Sequence, residues 1–415
     1  MAVWNEYDNL KTVLLGKRFE SEIVESAFDY LSPKEIDNLI TINEETNEDL
    51  DDIQKFLESE GVKVYRPDTS KYWDLNEKYN FKKLGNICDP GAVRDWCFSY
   101  GDLILITQLS FSQRQFEFIF WEDAFHELEQ QGKILLKLYH EDVLEVSGHW
   151  NKHQSYTPKE LKQKFKEKLE EYQLDDSYNI PRNQNFTSKV NKMLSLSDDE
   201  ILHLMKKGNL LWTYVYFLTN FSNKILTHSA SYFKHNNNII GTPLGTLAGR
   251  RNFEKTVKAI YPNTVFHYDT LRTGHIDGTS NILDKHLRVS FNEDDGYGIK
   301  GDYVGIDDKF PYKDIETIFL SKSEDFEDTS TISSYSKRFD DYLQNMRGYE
   351  QRVDFDLNGL TYSPRKMVGG FFSEERYNKL SSFGIHVENI PMRHRNKIDG
   401  GIHCYTLDVD RDESN

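Results

Sequence analysis

Asp399-Gly400-Gly401-Ile402-His403-Cys404 runs straight into Tyr405-Thr406-Leu407-Asp408-Val409, so a Gly-Gly turn, a histidine and a cysteine lead into an alternating, strand-like segment. Glycine reaches backbone conformations closed to other residues and lets a ligand approach the main chain, which suits the edge of a pocket. Cys404 at such a loop–strand junction is a candidate nucleophile. Far upstream, Gly274-His275-Ile276-Asp277 offers a histidine able to act as its base, with a carboxylate two residues on. Together they make a Cys/His/acid constellation. Taken singly, Cys404 reads as a buried thiol and His275 as a satisfied core histidine. The pair, each in a Gly-flanked setting, points to chemistry.

Strand-like runs recur on either side of these segments. They are 12–16, 62–65, 102–106, 133–136, 264–267, 286–290, 317–320, 385–387 and 402–409. Amphipathic helical stretches fall between several of them, at 48–59, 115–131, 253–259 and 374–383. The class is α/β with short strands, repeated in pattern and not in sequence. The rhythm breaks at about 149–223, where a charged helix starts at Thr157-Pro158 and a second runs from Ser197 through Lys207. That segment reads as a helical insertion or lid, and 323–354 as a further peripheral helix.

The chain has 415 residues, a net charge of −17, 38% hydrophobic and 13% aromatic residues, which suffices for a substantial core. No apolar run of about 18 residues predicts a membrane span. The acidity speaks against nucleic-acid or anionic-membrane partners and suits a cationic small molecule. The three cysteines, Cys88, Cys97 and Cys404, show no CxxC spacing. They fit a reducing cytoplasm, with no metal site and no cofactor expected. The first residues resemble neither a signal nor a transit peptide.

Four segments in order carry a family resemblance: Trp4–Gly16; Val93-Arg94-Asp95 with Gly101–Leu105 and Arg114-Gln115-Phe116-Glu117; His275–Ile282; and Asp399–Val409. They resemble the amidinotransferases (glycine and inosamine-phosphate amidinotransferases) among the guanidino-modifying penteins. The resemblance implies one domain over 1–415, a five-bladed α/β propeller of ββαβ-type modules with the 149–223 insertion. It also implies Cys404 as nucleophile, His275 as acid and base, and Asp95 and Asp277 as holders of the guanidinium. Arg114 and Glu117 fall in its substrate-binding stretch, although Glu117 can instead pair with Arg114 three residues before it. Asn238, within His235–Gly241, takes the place of the acid that orients the histidine in glycine-type enzymes. The residues with which those enzymes hold an acceptor's carboxylate have no counterpart around Asp294 or Met346, so the expected acceptor is an amine other than glycine.

A guanidinium carbon is a poor electrophile, and attack becomes feasible when carboxylates grip its nitrogens and a thiolate faces the carbon. Cys404 would expel L-ornithine from L-arginine and leave an S-amidino intermediate. His275 would favour the thiolate, protonate the departing amine and then deprotonate the acceptor. Water in place of the acceptor would make a deiminase or dihydrolase, and a homologue without turnover would be a binding protein. Both alternatives stay open, as does a homodimer. His403, by strand alternation, points to a structural role.

Overall fold

The computed structural model describes residues 2–28, 31–81, 88–107, 109, 114, 116–138, 157–160, 162–163, 166–167, 191, 194–207, 227–241, 247–268, 275–278, 280–291, 315–320, 356–370, 374–398 and 400–412. Their strands are β1 (Asn9–Leu15), β2 (Lys63–Tyr65), β3 (Cys97–Tyr100), β4 (Leu103–Thr107), β5 (Ile134–Leu138), β6 (Tyr232–His235), β7 (Asn238–Gly241) and β8 (Val265–Tyr268). After these come β9 (Ser280–Asp284), β10 (Leu287–Phe291), β11 (Glu316–Leu320), β12 (Leu360–Ser363), β13 (Lys366–Gly369), β14 (His386–Asn389) and β15 (Thr406–Asp412). The helices are α1 (Ser21–Ala27), α2 (Pro33–Ser59), α3 (Tyr72–Tyr79), α4 (Glu122–Gln130), α5 (Asp198–Lys207), α6 (Leu247–Ile260), α7 (Glu374–Ser382) and α8 (Arg395–Ile398).

These strands form five three-stranded sheets with one pattern. A central strand pairs antiparallel with one neighbour and parallel with the other, and in β3-β4-β5, β6-β7-β8 and β12-β13-β14 the antiparallel neighbour is a hairpin partner and the parallel one follows a crossover. In those three the crossovers contain α4, α6 and α7, so each unit is ββαβ. A parallel pair needs such a crossover, and its helix covers one sheet face. Hence central strands such as β4 (Leu-Ile-Leu-Ile-Thr) and β10 (Leu-Arg-Val-Ser-Phe) are buried throughout. In the sheet β15-β1-β2 the last strand lies antiparallel to the first, which brings the Cys404 segment back to the start of the chain.

The structure revises several element boundaries. Instead of starting at residue 48, α2 starts at Pro33, where Ser32 and Glu35 form a capping box; Glu35 Oε2 accepts from Ser32 N and Oγ at 2.8 and 2.7 Å. The stretch 115–131 divides into a 3₁₀ helix at Glu117–Trp121 and α4. Ile402–Tyr405 makes turns, and strand geometry begins only at Thr406. Of the proposed insertion, helical residues at 158–160, 162–163 and 166–167 and the whole of α5 are described, and both helix starts carry capping boxes, Thr157 with Glu160 and Ser197 with Glu200. Residues 323–354, Asp294 and Met346 lie outside the described residues. Among the described residues no helix is long and apolar enough to cross a membrane.

A buried charged node ties the sheets together beneath the site. Lys234 of β6 donates to both oxygens of Asp408 on β15, at 2.8 and 2.7 Å, and Arg94 and Arg411 reach the same carboxylate at 2.8 and 2.9 Å. The carboxylate of Glu6 lies 3.5 Å from Lys234 Nζ and 3.6 Å from Arg94. Burial opposes ionisation of Asp408, but Lys234, Arg411 and Arg94 outweigh it and hold its pKa well below the ordinary value.

Candidate active site

Cys404 sits where the 400–405 turns enter β15, and the loop is held at many points. Arg94 N donates to Cys404 O at 3.2 Å, and Arg94 Nε donates to His403 O and Thr406 O at 3.0 and 2.8 Å. A Cβ on Gly400 would stand 3.0 Å from Cys404 Cβ, and one on Gly401 would stand 2.7 Å from Asn358 O. Neither glycine has a left-handed φ, so the pair serves close packing of the chain's own Cys404 and Asn358, strictly so at Gly401.

The two motifs distant in sequence meet. Donor atoms of Asp95, His275 and Cys404 lie within 4.8 Å of one another, close enough to surround one small cation. Asp95 ends the 3₁₀ turn Val93–Asp95, and Asp277 lies in a second one, Ile276–Gly278. Cys404 Sγ is 3.7 Å from Asp277 Oδ2, and His275 Nδ1 is 3.5 Å from Asp95 Oδ1. One oxygen of each acid is already engaged: Asp95 Oδ2 by Arg114 at 2.5 Å, Asp277 Oδ2 by His403 Nδ1 at 2.9 Å. The other oxygen of each, Oδ1, is buried and takes no hydrogen bond among the described residues. Buried carboxylate oxygens left this way are costly unless a cation comes to them. Burial opposes ionisation of Asp95, yet Arg114 and His275 together lower its pKa below the ordinary value.

Arg114 and Glu117 are both buried and face each other, Nε to Oε1 at 2.5 Å and the second terminal nitrogen to Oε2 at 3.1 Å. Arg114 thus braces Asp95 from behind, and Glu117 braces Arg114. Asn238 lies elsewhere. It opens β7, half-buried, with Oδ1 2.9 Å from His267 Nε2 and Nδ2 donating to Asn237. The residue beside His275 is instead His228, whose Nδ1 is 3.4 Å from His275 Nε2. The displacement has a simple origin: β6 and β7 are a hairpin, so the site-facing end of this unit is the turn before β6 and not the hairpin loop that carries Asn238. Burial pushes the His228 imidazole down to about 3, with His275 adding to the shift, so it is neutral near pH 7.

Sequence reading also missed Asn358, buried in the turn before β12, which touches Cys404. His403, expected to be structural, is buried and links Asp277 to Glu6, its Nε2 3.7 Å from Glu6 Oε2. An Asn-Gly dipeptide at 358–359 signals a turn, but nothing local in it predicts contact with a cysteine forty-odd positions on. Cys97 is buried on β3, and burial raises its thiol pKa far above normal, so it is inert; Cys88 is buried as well.

No family model matches the sequence, and no curated protein matches it either. Solved structures do. SxtG, an amidinotransferase from Microseira wollei in the saxitoxin biosynthetic pathway, superposes with a TM-score of 0.58 at 15% identity, covering 100% of this chain and 98% of its own. The inosamine-phosphate amidinotransferase StrB1 from Streptomyces griseus gives a TM-score of 0.58 at 17% identity, over 100% of this chain and 97% of its own. At these identities the likeness speaks of fold. In its fold the chain is similar to these two amidinotransferases.

Proposed function

We propose that this protein is an amidinotransferase that moves the amidino group of L-arginine to an amine acceptor through an S-amidino form of Cys404. The observation that carries the proposal is the pair of buried carboxylate oxygens that take no hydrogen bond among the described residues, Asp95 Oδ1 and Asp277 Oδ1, beside a thiol and an imidazole. A guanidinium is a planar cation with several N–H donors, and two carboxylates match it in charge and in hydrogen bonding. In the first half-reaction Cys404 Sγ bonds to the guanidinium carbon while the bond from that carbon to arginine's side-chain nitrogen breaks. The thiol proton passes through His275 to the departing nitrogen, and L-ornithine leaves. In the second, the acceptor amine attacks the S-amidino carbon and gives its proton to His275; the C–S bond breaks and the sulfur regains the proton. Asp95 and Asp277 hold the donor, with Arg114 bracing Asp95 and Glu117 bracing Arg114.

The five sheets and the pairing of first and last strands support a closed five-bladed propeller, with 1–415 as one domain and 149–223 as an insertion in it. The acceptor is an amine other than glycine. Its carboxylate would need a cationic partner that the sequence does not supply near Asp294 or Met346, and a buried uncompensated charge binds poorly. Incubation with arginine and a mixture of glycine, lysine, polyamines, aminocyclitols and hydroxylamine tests the reading. Ornithine together with one guanidinylated amine is expected. Citrulline, or ornithine with ammonia, would replace the transferase by a hydrolase, and no product at all would leave a binding protein.

A further inference from the structure

The proposed reaction asks Cys404 to carry negative charge, yet the described group nearest its sulfur on one side is a carboxylate, Asp277 Oδ2 at 3.7 Å. A second group touches the sulfur more closely. Asn358 Nδ2 donates to Cys404 Sγ at 3.2 Å, and Asn358 Oδ1 accepts from Cys404 N at 3.0 Å. The second bond fixes which way the amide faces. An oxygen must meet the backbone N–H, so the NH₂ group must meet the sulfur, and a flipped amide would set donor against donor. The turn is itself immobilised. Asn281 of β9 donates to the carbonyls of Leu357 and Gly359, and Asn358 O accepts from His403 N at 3.0 Å. Gly401 leaves room for this contact, because any Cβ there would stand against Asn358.

We infer that Asn358 is a catalytic residue whose side-chain N–H, held in place before substrate arrives, stabilises the Cys404 thiolate. A donor fixed against a developing anion in a buried site stabilises it without reorganisation when the charge forms. The amide is neutral, so it favours the thiolate without competing with a cationic substrate for Asp95 and Asp277. This role rests on Cys404 being the nucleophile of the proposed transfer, but it can be read without any transfer taking place.

The test is the rate at which iodoacetamide alkylates Cys404 at neutral pH, followed by peptide mass spectrometry in the full chain. In Asn358→Asp the carboxylate still accepts the Cys404 N–H and so keeps the loop together. It has no N–H for the sulfur and adds repulsion. Alkylation should fall at least tenfold with the melting temperature preserved, and ornithine release should fall with it. Asn358→Ala should fall less, having lost the donor without gaining a charge. A folded N358D protein alkylated at the wild-type rate overturns the inference. Should N358D not fold, wild-type protein carrying isotope-labelled asparagine decides: one side-chain NH₂ pair must shift when Cys404 is alkylated, and no shifting pair overturns it. A wild type that alkylates as expected but makes no ornithine from arginine would remove the proposed function and leave Asn358's effect on the thiol standing.

Discussion

At the scale of single residues, the two buried carboxylates of the site are each half hydrogen-bonded. Asp95 and Asp277 each give one oxygen to a hydrogen bond, and the other takes none among the described residues. Replacing either by Asn preserves shape but removes the charge, and charge-assisted hydrogen bonds are worth about 1.5–3 kcal/mol each. Arginine KM or kcat/KM should worsen accordingly for D95N and D277N, and D95N should also lose stability because it leaves buried Arg114 with Glu117 alone; unaltered arginine kinetics in both would place the donor elsewhere. His228 has a consequence for stability. Its imidazole titrates near 6.5 in the unfolded chain and at about 3 in the folded one. Between these values the unfolded state binds the extra proton, so stability falls as pH drops below 6.5, by about 1.4 kcal/mol per pH unit from this group. The groups facing it are His275, Asp95 and Arg114. Urea unfolding at a series of pH values should show a shallower acid loss in His228→Asn than in wild type, and identical slopes would contradict a buried neutral imidazole.

At the scale of elements, the sequence is most legible where strands of five or more residues are rich in apolar side chains. The runs that became β1, β4, β10 and β11 stand out by composition. The hairpin partners β6 and β7 did not, because Tyr-Phe-Lys-His and Asn-Ile-Ile-Gly are four residues long and carry polar side chains whose burial depends on distant partners. Lys234 looks like a surface residue until Asp408 is known to meet it. The same limit misplaced Asn238. Motif matching located Cys404, His275, Asp95 and Asp277 near one another, whereas only folding shows that His228 and Asn358 join them. The loop 400–405 allows an element-scale check. Gly401→Ala would push its Cβ against the Asn358 backbone. Cys404 alkylation and any transfer activity should drop by about tenfold or more, with a melting temperature reduced by a few degrees at most, and a fully active G401A would show that the loop has slack.

At the scale of the whole molecule, the charged node sits where separate sheets come together. Lys234, Asp408, Arg94 and Arg411 are all buried, and Asp408 takes bonds from β6, from the Val93–Asp95 turn and from its own strand. Removing one partner of a buried ion pair typically costs about 3–5 kcal/mol, because the charge left behind stays desolvated. Lys234→Met should therefore lower unfolding free energy by that order in chemical denaturation, and a change under about 1 kcal/mol would mean that Arg94 and Arg411 alone satisfy Asp408.

The central claim is that Cys404 takes up the amidino group of arginine. Its most direct measurement is intact-protein and peptide mass spectrometry after rapid mixing with arginine in the absence of any acceptor, with C404A, C88A and C97A proteins in parallel. A gain of one amidino group on Cys404, matched by an equal amount of free ornithine, is the predicted result; it should be absent from C404A and retained in C88A and C97A. Ornithine or citrulline formed at an undiminished rate by C404A, or an adduct on another residue, would contradict it.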